Sequence, residues 1–283
     1  MKKKLYTAIG LMSGTSMDGV DLSIISSDGH DQFTNILDDY YKYDYKLQDQ
    51  LINLRNLIST KEDLSINYTK LSELERNLTI FHAEIINQTL QKYKNPIDLI
   101  GFHGQTIFHN PELKITKQLG DGHLLSQLVR KNVVYDFRQA DIANDGQGAP
   151  LTPIFHYLLA NKIIEKFELE PPISFLNIGG ISNVTQITGL SNAIEDNILA
   201  VDIGPGNCLI DEWIRNNSKL NLELFLIHLS IKQFPGPISN ANKLSSITFD
   251  KPVICVTFEI PPIFKKLIGS SRSYFSTILL ANK

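Results

Sequence analysis

Short apolar runs broken by glycine-bearing polar turns organise the first two-thirds of the chain. Residues 5–11 are apolar and rich in strand formers, Ser13-Gly14-Thr15-Ser16-Met17-Asp18-Gly19 interrupts them, and residues 20–25 resume the run, which predicts strand, turn, strand. Within residues 66–93, Leu71, Leu74, Leu78, Phe81 and Ile85 recur every three or four positions, the signature of a long helix with one apolar face. Asn95-Pro96 ends that helix, and residues 97–102 predict a strand delivering His103-Gly104-Gln105-Thr106 at its carboxyl end. Val133-Val134-Tyr135 predicts another strand, followed by Asp136-Phe137-Arg138 and a polar loop over residues 141–150. Pro150 and Pro153 open a helix through Leu159, since proline is tolerated where first-turn N–H groups lack partners. Residues 173–178, the turn Gly179-Gly180 and residues 181–187 repeat the strand-turn-strand unit, which suggests two related halves. Strands alternating with helices predict an α/β fold, with a boundary near Pro150 or Pro171-Pro172.

Composition narrows the class. A chain of 283 residues with 42% hydrophobic and 20% charged residues has the make-up of a globular protein with a substantial core. A net charge of -3 provides no basic footprint for a phosphate backbone, so no nucleic-acid partner is expected. Cys208 and Cys255 form neither a disulfide framework nor a metal-ligand spacing, which suits the cytoplasm. The Lys2-Lys3-Lys4 start imitates a signal peptide, but its apolar run is short and lacks a cleavage pattern, and no stretch reaches bilayer length. Only Gly236 and Gly269 follow Gly206, so the glycine-turn pattern fades in the last quarter.

Three groups of residues could carry chemistry. A turn of Gly14, Thr15, Ser16, Asp18 and Gly19 between strands can offer N–H groups and hydroxyls to a phosphate, or be a plain hairpin turn. No Gly-Lys-Ser/Thr follows it, so it is not a P-loop. Asp202, in a short strand before Gly204-Pro205-Gly206-Asn207, either holds a hydrated magnesium ion against phosphates or caps a tight connection. Asp136, Arg138 and Asp141 fall with His103, Gln105 and Asp121 in segments that follow strands, where ligands gather in open α/β sheets. Asp136 or Asp141 could accept a proton as general base, or pair with Arg138 at the surface. His109, His123 and His156 have no zinc spacing with His103.

These motifs, together with Gly101-Phe102-His103-Gly104-Gln105-Thr106, Gly146-Gln147-Gly148-Ala149-Pro150-Leu151 and Leu176-Asn177-Ile178-Gly179-Gly180-Ile181-Ser182-Asn183, resemble the anhydro-N-acetylmuramic acid kinases, in order from about residue 5 to residue 215. The resemblance implies two ribonuclease-H-like domains of the actin-like ATPase type around a nucleotide cleft, residues 1–150 and 151–283, the second incomplete. It implies an ATP- and magnesium-dependent kinase that converts 1,6-anhydro-N-acetylmuramic acid to N-acetylmuramic acid 6-phosphate, with a homodimer as the assembly. Gly14, Thr15, Ser16, Met17, Asp18, Gly19, Val20 and Asp21 would hold the ATP phosphates, with Gly179, Gly180, Asp202, Gly204, Gly206 and Asn207. Asp18 and Asp202 would serve magnesium, Asp141 would be the base that aims water at the anomeric carbon, and His103, Gln105, Asp121 and Arg138 would line the sugar site.

The chain also departs from that family pattern. Asp145 stands where the family usually has glycine, and Ile203 replaces its usual threonine. Beyond Ile214 no Gly-Gly-Gly turn with a following asparagine occurs, so a chain truncated or altered after about residue 215 is expected. A second reading is therefore an impaired remnant that binds sugar or phosphate.

Overall fold

The computed structural model describes residues 4–29, 32–178, 181–191, 193–206 and 255–258. Among these the chain separates into two compact units, one through Leu151 and one from Thr152 onward, each with its own mixed sheet.

In the first unit β1 (Tyr6–Ser13) and β2 (Gly19–Ser27) form an antiparallel hairpin, and β3 (Phe33–Lys42) adds antiparallel to β2. β4 (Leu99–Asn110) lies parallel to β1 on its other side and pairs with β5 (Ile115–Leu119) and with β6 (Val133–Val134), giving the order β3-β2-β1-β4-β5. Alternation in β1 and β2 buries Ile9, Leu11, Leu22 and Ile24. The helices α1 (Tyr45–Asn56), α2 (Lys61–Ile66) and α3 (Tyr68–Lys92) connect β3 to β4. Asp44 caps α1 by accepting from the Leu47 N–H at 2.7 Å. Leu71, Leu74, Leu78, Ile85 and Ile86 form the buried face of α3. Leu51, Leu78 and Ile86 are fully buried in one core with Ile9, Ile100 and Phe102, where truncation to alanine costs roughly 2–5 kcal/mol.

Two expectations are corrected here. The strand containing His103 does not end before the motif but runs to Asn110, so His103-Gly104-Gln105-Thr106 lies inside β4. The reason is a bulge: Leu11 faces Phe102 while Ser13 faces Gln105, so β4 holds one more residue than β1 there, with Gly104 at φ +70. A Cβ at Gly104 would fall 2.2 Å from the Leu119 carbonyl oxygen, so only glycine fits. The burial of Ile100 and Phe102 resumes out of step at Gln105 and Ile107. Nor is Asp141 in a loop, because α5 (Phe137–Ala143) carries it, and α4 (Gly122–Val129) precedes that element.

In the second unit α6 (Pro153–Phe167) has proline in its first turn and runs beyond the expected Leu159. It buries Tyr157, Ala160 and Ile163 against Ile173, Phe175 and Ile187. β7 (Ile173–Ile178) and β8 (Ile181–Ile187) are antiparallel, β9 (Ile198–Pro205) adds antiparallel to β8, and β10 (Cys255–Phe258) lies parallel to β7. The order β9-β8-β7-β10 repeats β3-β2-β1-β4: three antiparallel strands, then a strand parallel to the first. Gly179, Gly180 and Asn207 lie outside the described residues.

Candidate functional site

The first glycine turn is braced from two strands. The Met17 N–H donates to the Gly14 carbonyl oxygen at 3.2 Å, and Met17 itself is in the left-handed region at φ +51 with its side chain buried. Consecutive N–H groups around such a residue form an anion-binding concavity. Thr15 is exposed and Ser16 half-buried, whereas Gly14, Asp18, Gly19 and Val20 are buried and Asp21 is half-buried in β2. From β4, the Gln105 amide donates to the Gly14 carbonyl at 3.0 Å, and its own carbonyl oxygen has no hydrogen-bond partner among the described residues. From β3, the Tyr40 hydroxyl donates to Asp18 Oδ2 at 2.9 Å, and burial together with the Asp18 charge pushes that phenol well above its ordinary range. The Tyr43 N–H donates to the Asp18 carbonyl at 3.0 Å, and the Tyr43 and Ser13 hydroxyls share a hydrogen bond of 2.8 Å. Tyr40 and Tyr43 escaped the sequence reading because Tyr40 lies in β3, a strand it did not foresee, and Tyr43 directly follows that strand.

A second cluster joins β4 to α5 and the loop behind it. Arg138 and Asp141 are three positions apart in α5, on one helix face. The half-buried Asp141 carboxylate accepts from the Gly148 N–H at 2.7 Å. Arg138 donates from Nε to His103 Nε2 at 2.9 Å and from its terminal nitrogen to the Gly148 carbonyl at 2.6 Å. His103 Nδ1 lies 2.8 Å from the Gly104 carbonyl oxygen, and burial, with Arg138 beside the ring, lowers the imidazole to about 4.

The end of α5 explains the departure at residue 145. The Gly146 N–H donates to the Asp141 carbonyl at 2.8 Å and the Asp145 N–H to that of Ile142 at 3.2 Å, the paired bonds of a Schellman cap. That cap places Asp145 at φ +65, where glycine is easiest and aspartate is tolerated. A Cβ at Gly146 would lie 2.1 Å from Asp141 Oδ2, so glycine leaves the room that the carboxylate occupies.

Asp121 and Asp136 sit differently. Asp121 is exposed and caps α4, accepting from the Leu124 N–H at 2.9 Å. Its own N–H donates to Thr79 Oγ1 at 3.0 Å. Glu75, one turn before Thr79 on α3, accepts from Lys117 at 2.8 Å and from the Gly120 N–H at 3.2 Å, which pins the loop carrying Asp121. Asp136 is exposed at φ +61 before α5. Asp145 pairs with Lys114 at 2.9 Å where both are largely exposed, an ion pair of little energetic weight.

In the second unit Asp202 is exposed within β9 opposite Asn183, and Gly204, at φ +120, faces Ser182 across a register shift. Ile203 is half-buried and Gly206 buried. His156 shares a 2.9 Å hydrogen bond with Thr185 and stacks on Phe175 at 4.8 Å, a core histidine that burial lowers to about 4. Among the described residues no three His, Cys, Asp or Glu side chains converge as a metal site, and no helix is long and apolar enough to cross a membrane.

Comparison with known proteins places these residues in a family context. Residues 6–223 match the family model described as anhydro-N-acetylmuramic acid kinase. A protein of that name from Pelagibacter ubique is 46% identical over 251 residues, covering 89% of this chain and 62% of the relative. Namesakes from Agrobacterium fabrum and Methylobacterium nodulans are 41% and 42% identical over 75% and 73% of this chain, and 56% of each relative is covered. The chain thus spans between 56% and 62% of the length of these curated relatives.

Proposed function

Because this chain belongs to the anhydro-N-acetylmuramic acid kinase family, we propose that it uses ATP to phosphorylate the 6-oxygen of 1,6-anhydro-N-acetylmuramic acid while water opens the anhydro bridge. The product is N-acetylmuramic acid 6-phosphate, made in the cytoplasm during cell-wall recycling. The observation that carries this reading is the seat of Asp141: a carboxylate held by the Gly148 N–H, on the same helix face as an arginine.

In this reaction Asp141 takes a proton from water, whose oxygen bonds to the anomeric carbon as the C1–O6 bond breaks. The electron pair left on O6 attacks the γ-phosphorus, and the bond to ADP breaks. One carboxylate in line with the C1–O6 bond therefore couples hydrolysis to transfer. Arg138, Gln105 and Asp121 form the sugar-side set, with His103 behind Arg138. Gly14 to Asp21 receive the phosphates, and Gly179, Gly180, Asp202, Gly204, Gly206 and Asn207 belong to the nucleotide set as well. The recurrence of one strand order in both sheets supports two ribonuclease-H-like domains.

Magnesium, when bound, neutralises phosphate charge, and Asp18 and Asp202 are the carboxylates assigned to it. Asp18 fits that task because it sits beside the turn with Oδ2 held by Tyr40. One or two carboxylates suffice for an ion that takes its remaining ligands from phosphates and water.

The test is incubation of the purified chain with ATP, magnesium and the anhydro sugar, followed by mass spectrometry. Sugar phosphate is the expected product. Its absence at high concentration of folded protein rejects the activity, and calorimetric sugar binding without turnover would leave a binding remnant instead.

Two glycines provide further checks. Gly146→Ala should turn the Asp141 carboxylate off the Gly148 N–H, because a rotating side chain yields more easily than backbone. Activity should fall roughly 100-fold with little change in melting temperature. Gly19→Ala places its Cβ 2.5 Å from the Tyr41 carbonyl oxygen, so backbone must move, and the thermal shift produced by ATP should shrink together with stability. An unchanged ATP shift would remove this turn from the nucleotide site.

A further inference from the structure

We infer that His103 is a positioning residue: its Nε2 accepts the Arg138 Nε–H and thereby fixes the guanidinium that holds the Gly148 carbonyl, while the N–H of that same residue seats the Asp141 carboxylate. The effect on turnover rests on the sugar-kinase reading, whereas the relay itself does not.

The donor and acceptor roles follow from chemistry. Guanidinium nitrogens only donate, so His103 Nε2 must be bare and present its lone pair to Arg138. The proton then resides on Nδ1 and is donated to the Gly104 carbonyl oxygen at 2.8 Å. That carbonyl belongs to the bulge residue at φ +70, so the kink in β4 selects the tautomer. Burial and the adjacent cation hold the ring neutral down to about 4, which keeps Nε2 an acceptor at physiological pH.

Both ring nitrogens are thus engaged within the protein. A sugar hydroxyl could bond to the imidazole nitrogens only by displacing Arg138 or the Gly104 carbonyl. His103 therefore acts through Arg138. Gly148 is held on both sides of its Cα, its carbonyl by Arg138 at 2.6 Å and its N–H by Asp141 at 2.7 Å, so a displaced guanidinium shifts this residue and with it the seat of the carboxylate.

Nitrogen-15 NMR of the labelled full chain near neutral pH tests the relay. The expected spectrum has His103 protonated at Nδ1 and bare at Nε2, with an exchange-protected Arg138 Nε–H. His103→Leu should abolish that protection, and His103→Gln, whose side-chain carbonyl can accept, should keep it. In turnover, His103→Leu should lower kcat roughly 100-fold with the sugar KM within about two-fold, and His103→Gln should recover most of the loss. A proton on Nε2, equal Arg138 protection in the two variants, or a raised sugar KM at unchanged kcat would overturn the inference. If the unsubstituted chain shows no turnover, the kinase reading fails and the NMR results decide the relay alone.

Discussion

Asp141→Asn is expected to lower sugar phosphorylation by roughly 1,000-fold, equivalent to about 4 kcal/mol of transition-state stabilisation, while leaving the fold intact. The amide cannot take the proton from water, but its carbonyl can still accept the 2.7 Å bond from the Gly148 N–H. The melting temperature should therefore move by only about 2 °C. ATP binding, measured by calorimetry, should be unchanged, because the change falls on the step that activates water. Asp136→Asn is the control. Asp136 is an exposed residue at φ +61, a conformation that asparagine also tolerates, so its replacement should leave the rate within about two-fold. Asp141→Asn retaining more than about a tenth of the rate would remove Asp141 as the base, and loss of activity in Asp136→Asn alone would transfer the role.

The second large effect is acid destabilisation through His82. This α3 histidine is completely buried, with its ring edge-on to Phe102 at 4.9 Å, and it donates from Nδ1 to the Leu78 carbonyl at 2.8 Å. Burial lowers the imidazole from 6.5 to about 4, and among the described residues its Nε2 has no hydrogen-bond partner. In the unfolded chain the ring protonates near pH 6.5, whereas in the folded protein it does so only near 4. Between these values the unfolded state binds more protons, so stability falls as pH falls. The loss attributable to His82 is about 2 kcal/mol at pH 5 and about 3 kcal/mol by pH 4, below which its contribution levels off. His103 and His156 shift in the same direction. Urea denaturation at pH 7 and pH 5 measures the slope. His82→Leu should flatten it by the His82 share, because Leu78 loses only a second donor to its carbonyl while the pocket stays apolar. An unchanged slope in that variant would show that His82 protonates in the folded state as it does in water.

Much of the framework was legible from local patterns. The 3- and 4-residue spacing of Leu71, Leu74, Leu78, Phe81 and Ile85 marked the apolar face of α3, and the glycine turns marked both hairpins. β3 was not legible: at its start Thr34, Asn35 and Ile36 are all exposed, so the run shows no clean alternation. The continuation of β4 through Gly104 was hidden for a different reason. A bulge breaks the two-residue period, so a polar His-Gly-Gln-Thr string resembles the end of a strand.

The sequence by itself determined the motif order, the glycine spacing and the apolar face of α3, because these are properties of neighbouring positions along the chain. Which atoms meet was decided only by the tertiary structure. Tyr40 reaches Asp18 across 22 positions, Arg138 reaches His103 across 35, and Gln105 reaches Gly14 across 91. Each bond depends on strand order, and those of His103 and Gln105 also on the bulge at Gly104; no short-range pattern encodes either, because hydrogen bonds form between neighbours in space.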